Sequence, residues 1–137
     1  MRSKAVLLLA LLGLVGAARC LGAEACLHYE PDEVDLQGTL QLKAFAGPPH
    51  YKSVELGDQP EAVWILTLPR PICIAPLPDD DWNVARDGVQ TIEVVARTAF
   101  TVDLNGALVN IRGTLTRARG AHRHAEITLR ASKVAAK

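Results

Sequence analysis

The sequence predicts an all-β fold, a small five-stranded barrel, and two observations lead there. Period-two alternation of apolar and polar residues is the dominant pattern along the chain, and two of the long alternating stretches carry a glycine on the apolar side, Gly38 and Gly113. Small barrels need such glycines where a strand bends sharply round a corner. Length agrees: 137 residues make one small domain and exclude a TIM barrel or a full dinucleotide-binding fold. With 49% hydrophobic, 22% charged and 4% aromatic residues, the composition also excludes collagen-like, disulfide-dense and strongly disordered chains.

Residues 1–25 read as a secretory signal rather than as fold. Arg2 and Lys4 form a basic start, Ala5 to Ala18 an apolar run, and Ala23-Glu24-Ala25 the small residues a signal peptidase inspects. The run is shorter than the roughly 20 residues that span a bilayer, and no later segment is long enough, so no membrane span is expected in the mature protein. Neither Cys20 nor Cys26 is preceded by the pattern of a lipidated cysteine. Cleavage after Ala25 leaves Cys26 and Cys73. In an oxidising compartment such a pair is most simply a disulfide, two free thiols being the alternative.

The first strand is expected from Val34 to Ala44, with Val34, Leu36, Gly38, Leu40, Leu42 and Ala44 on one face. A long loop with Gly47, Pro48, Pro49, Gly57 and Pro60 follows, and loops of that length are often functional. The second strand covers Glu61 to Leu68, with Trp64, Leu66 and Leu68 inward. Pro69, Pro71, Pro76 and Pro78 then break the chain, leaving Ile72-Cys73-Ile74 as a short edge piece. Asp79-Asp80-Asp81-Trp82-Asn83 is a polar turn without calcium-loop spacing. The third strand runs from Val89 to Ala96. Thr98 can cap one or two helical turns that Asn105-Gly106 stop. The fourth strand, Ala107 to Arg117, points Val109, Ile111, Gly113 and Leu115 inward; the fifth points Ala125, Ile127, Leu129 and Ala131 inward. Five strands with a short helix between the third and fourth is the element order of an oligonucleotide/oligosaccharide-binding (OB-like) barrel, though an unrelated five-stranded sandwich or roll would share it.

Charge is divided along the chain: residues 26–96 are strongly acidic and residues 97–137 basic, which marks the last hairpin as a surface for an anionic partner or as one pole of a folded dipole. In an OB-like barrel the loops after the first and fourth strands flank the ligand face. His50, Tyr51 and Lys52 sit on one; Arg119, His122, Arg123 and His124 sit on the other. These residues are the expected ligand-binding rim. A second reading takes His122, His124 and Glu126 as the ligands of a metal-binding protein, a hydrolase being one form of it, because alternate residues of an extended chain point the same way. Catalysis is poorly supplied. Ser53 and Ser132 lie in no nucleophile elbow; Glu30, Asp58 and Glu61 could serve as glycosidase carboxylates if they face a cleft, but paired acids in loops are far more often solvated. Few aromatics are free for stacking, so nucleic acid is not an expected partner. No cofactor is implied.

Cys26-Leu27-His28-Tyr29-Glu30-Pro31, Gly47-Pro48-Pro49-His50-Tyr51, Gly57-Asp58 with Glu61, Trp64-Ile65-Leu66 before Pro71-Ile72-Cys73, and Gly113-Thr114-Leu115 before His122 and His124 together resemble the bacterial domain of unknown function 4431 family. The resemblance implies an exported bacterial protein with Cys26 paired to Cys73, and no assigned activity. Two positions depart from the family pattern: Arg123 stands within a run of histidines, and His50 where asparagine is frequent. The expectation is a secreted, non-catalytic binding module of the bacterial cell envelope, periplasmic or extracellular. It would hold an envelope protein or polysaccharide on the loop rim.

Overall fold

The computed structural model describes residues 24–97 and 100–137. The expected leader lies outside them save for its last two residues, as do Thr98 and Ala99 of the expected helical stretch. The described chain is all-β: β1 (Glu33–Ala46), β2 (Pro60–Ile74), β3 (Arg86–Ala96), β4 (Leu108–Arg117) and β5 (Ile127–Ala136). All five belong to one sheet, whose pairing runs β1-β2-β3-β5-β4 and returns to β1 as a closed ring. Its shortest seam is β3–β5, which is parallel and runs from Glu93↔Thr128 to Ala96↔Ala131. No described helix is long and apolar enough to cross a membrane.

The alternation read from the sequence is what fills the ring. Val34, Leu36 and Leu40 of β1 meet Val109, Ile111 and Leu115 of β4 and Ile127 and Leu129 of β5, all buried in one cluster. Removing such groups from water is the main force holding a domain of this size. Gly113 sits where the β4–β5 register shifts. A Cβ there would overlap the Arg130 carbonyl oxygen, so only glycine lets β5 approach. At Gly38 an added Cβ would lie 2.5 Å from the Thr67 carbonyl oxygen.

Three expectations are corrected. Leu42 and Ala44 were expected inward but are exposed, because β1 pairs with β4 only as far as Thr39 and then runs beyond the core with β2 alone. Ile72–Ile74 is not a separate edge piece. It is the end of β2, which passes Pro69 and Pro71 through register shifts between Thr67 and Ile74. Proline is tolerated there because β2 has left β1 behind and the shifts free those positions from the ladder. Among the described residues between β3 and β4, the expected helix is a 3-10 turn, Val102–Leu104, with no side-chain cap.

Cys26 and Cys73 form the disulfide, closing a sequence separation of 47. Around it the Leu27 N–H donates to the Cys73 carbonyl (2.9 Å) and the Ala75 N–H to the Leu27 carbonyl (2.8 Å), so the N-terminal segment is fastened to the end of β2. Tyr29 follows into the core, its hydroxyl donating to the Val84 carbonyl at 2.9 Å. Burial raises its pKa.

Candidate functional site: the meeting of two loops

Strand register explains why two loops distant in sequence can meet. At the start of β5, Thr128 pairs with Glu93, and Glu93 pairs with Ile65 on the first half of β2. The residues just before β5 therefore arrive over the outer face of β3 and β2. The β4–β5 loop (residues 118–126) folds across that face, and Ile65, Glu93 and Thr128 are buried although they point away from the core cluster. Glu93 is the fastening. Its carboxylate accepts from Arg123 Nη1 at 2.8 Å and from the His124 backbone N–H at 2.7 Å. A carboxylate 1% exposed needs such donors, since burying it bare would be prohibitive.

Held there, the loop reaches β1, β2 and the β1–β2 loop (residues 47–59). The His124 ring stacks on Phe45 with centroids 4.4 Å apart, and its Nε2 lies 3.1 Å from Glu61 Oε2. Glu61 Oε1 is 3.7 Å from His122 Nδ1. The Tyr51 hydroxyl lies 2.8 Å from that nitrogen, and the two rings meet edge to face. Tyr51 itself is in the left-handed backbone region, φ 56°, uncommon for a residue with a side chain.

Asp58 holds that backbone in place. Buried at the base of the β1–β2 loop, its carboxylate accepts from the backbone N–H groups of His50 (2.9 Å), Lys52 (2.7 Å) and Ser53 (3.0 Å). These donors, led by those of Lys52 and Ser53, pull its pKa down to about 2. His50 Nδ1 adds a contact at 3.2 Å while its side chain stays 71% exposed.

The opposite flank of the β4–β5 loop has other neighbours. Arg117 and Arg119 lie over the Trp82 ring, 4.7 and 4.8 Å from its centroid, and the Trp82 indole N–H donates to the Arg117 carbonyl at 3.2 Å. Asp80 shapes this turn by accepting from the Trp82 and Asn83 backbone N–H groups, which lowers its pKa. Asn83 is buried and accepts the Arg117 N–H at 2.9 Å.

Of the expected rim, then, Tyr51 and His122 touch directly. His50 and Lys52 lie on the same Asp58-braced loop, His124 is fastened to Phe45 and Glu61, Arg123 is turned to Glu93, and Arg119 stands on the Trp82 flank. Glu126 does not join the histidines. Residues 118–126 form turns rather than an extended strand, and Glu126 pairs with Arg86. Among the described residues no group of three His, Cys, Asp or Glu side chains could hold a metal ion.

Sequence reasoning missed Glu61 as a partner of both histidines, Glu93 as the anchor, and Trp82 as a platform. A lone acid within Ile92-Glu93-Val94-Val95 is the signal that could have found the anchor. A cavity of about 910 Å³ lies elsewhere, between β5 and Phe100–Leu104. Comparison with known proteins returns no matching family model, no curated relative and no similar solved structure.

Proposed function

We propose that the chain is an exported, non-catalytic binding module of the bacterial cell envelope that holds an envelope protein or polysaccharide at the joined loops. The observation that supports this reading is the Tyr51–His122 contact, which connects the β1–β2 and β4–β5 loops into one edge. His50, 71% exposed, and His122, 69% exposed, remain accessible there beside Tyr51 and Lys52, while Arg119 stands on the Trp82 flank. Arg123 and His124 hold the edge in place from beneath, through Glu93, Glu61 and Phe45. Imidazole, phenol and ammonium groups on a braced loop offer directional hydrogen bonds and one aromatic face, the chemistry that sugar hydroxyls or a polar protein patch would meet.

Export accords with the leader-like residues 1–25 and with the Cys26–Cys73 disulfide. The resemblance to the domain of unknown function 4431 family points to the same compartment. The test is affinity capture from envelope fractions with the native protein and with a Tyr51→Ala/His122→Ala variant. A partner retained by the native protein and lost by the variant is the expected result. A partner held equally by both would overturn the rim as the binding site.

A further inference from the structure

The Trp82 flank of the β4–β5 loop encloses a cleft of about 280 Å³, and its chemistry is unlike that of the rim. Arg117, Arg119, Arg123 and Arg130 line it together with Asn83 and Thr128. Glu30 and Asp80 also line the cleft, and they and the neighbouring Glu93 are already engaged: Glu93 by Arg123 and the His124 N–H, Glu30 by Arg130 at 3.5 Å, and Asp80 by the donors of its own turn. Arg117 and Arg119 have no carboxylate within 4.0 Å among the described residues. Their guanidinium carbons lie over the Trp82 ring; Arg117 Nη1 donates to the Trp82 carbonyl at 3.4 Å, and the other guanidinium N–H groups of the pair stay available to an acceptor in the cleft.

A second observation points the same way. Thr128 lines the cleft and is 3% exposed, yet its hydroxyl has no hydrogen-bond partner among the described residues. Buried polar groups are nearly always satisfied, and one that is not calls for an explanation. Guanidinium donors from the end of β4, the β4–β5 loop and β5, with an orphan hydroxyl among them, ask for an acceptor with oxygens in several directions. A carboxylate offers two coplanar oxygens, whereas a phosphoryl group offers three or more in a tetrahedral array. The cleft is several times the roughly 30 Å³ share of one water, so such a group fits with solvent beside it.

We propose that this cleft is a phosphoryl-binding site, occupied by inorganic phosphate or by the phosphate of a phosphorylated saccharide. It goes beyond the rim reading and does not rest on it, since it needs none of His50, Tyr51 or His122.

The experiment is a titration of inorganic phosphate into the oxidised protein at low ionic strength, followed through backbone amide NMR shifts. Saturable shifts at Asn83, Arg117 and Thr128 are expected, with none from chloride at matched ionic strength. Thr128→Val keeps the side-chain shape and Arg119→Gln changes an exposed residue, so both variants should fold with unchanged melting temperature. Each should weaken phosphate roughly tenfold, as loss of one hydrogen bond to a charged acceptor does. Tighter binding of glucose 6-phosphate than of inorganic phosphate would assign the site to a phosphorylated saccharide; equal or weaker binding would assign it to the free ion. No saturable shift, or full affinity in Thr128→Val, would overturn the proposal.

Discussion

On one flank of the β4–β5 loop, His122 and His124 find partners in Tyr51, Glu61 and Phe45; on the other, Arg117 and Arg119 rest on Trp82 and meet no carboxylate within 4.0 Å among the described residues. A single buried acid, Glu93, holds both flanks, because it fixes Arg123 and the His124 backbone between them. The difference is one of satisfaction. The histidine flank pairs His122 and His124 with partners inside the molecule and so sets the shape of the rim, leaving the 69% exposed His122 side chain at its edge, while the arginine flank keeps donors and an orphan hydroxyl. That contrast separates an edge shaped by internal contacts from a cleft that still lacks an acceptor.

The contrast can be broken at several depths. Replacing Cys26 and Cys73 with alanine removes the closure of a sequence separation of 47, which should cost about 4 kcal/mol on the chain-entropy model. Denaturant unfolding would show the loss, and both flanks should survive it unchanged at temperatures where the variant is folded. An intact mass that does not rise by two hydrogen atoms on reduction would mean there is no disulfide to remove. Next in size is Arg123→Ala, which strips one donor from a carboxylate 1% exposed. About 2–3 kcal/mol should be lost. The Tyr51–His122 contact should loosen together with the Arg–Trp82 stack; if only one flank responds, Glu93 is not the common anchor.

Acid gives a more local test. The Asp58 pKa is held at about 2, below its ordinary value of 3.8, so the ionised carboxylate braces the β1–β2 loop at neutral pH. A depressed folded-state pKa supplies stability that is complete above the unfolded value of about 4 and is lost as pH falls through the folded value. Exchange protection of the His50, Lys52 and Ser53 amides should persist below the ordinary carboxylate range and fail near the value held by Asp58. Protection lost already near the ordinary value would remove Asp58 from this role. The smallest effect belongs to His122→Ala. Its side chain is 69% exposed, and stability should change by less than about 0.5 kcal/mol. A larger loss in thermal unfolding would place His122 among the fastening residues.

Much of the fold was legible because burial writes a period-two pattern. Val34, Leu36, Leu40, Val109, Ile111, Leu115, Ile127 and Leu129 were expected inward and are buried, and Gly38 and Gly113 stand where backbones approach. The pattern failed at Leu42, where the strand outlasts its β4 neighbour, and strand length beyond a partner is not written in alternation. The site was legible only as two loops. That His122 would turn to Tyr51 and Glu61 depends on the β5–β3–β2 register, which brings Thr128, Glu93 and Ile65 into line from widely separated stretches. The grouping of Glu126 with the histidines assumed an extended chain from residue 122 to 126, and the turns there undo it. Arg119 reads as a rim cation in the sequence because nothing local announces Trp82, some 37 positions earlier, as its platform.

Proximity of two side chains 71 positions apart carries the whole arrangement of the loops, and it can be observed without any ligand. Nuclear Overhauser spectroscopy of the oxidised protein should give ring-to-ring cross-peaks between Tyr51 and His122 and between Phe45 and His124. Well-resolved rings with no Tyr51–His122 cross-peak, or His122 cross-peaks to Glu126 and Arg86 instead, would contradict the account.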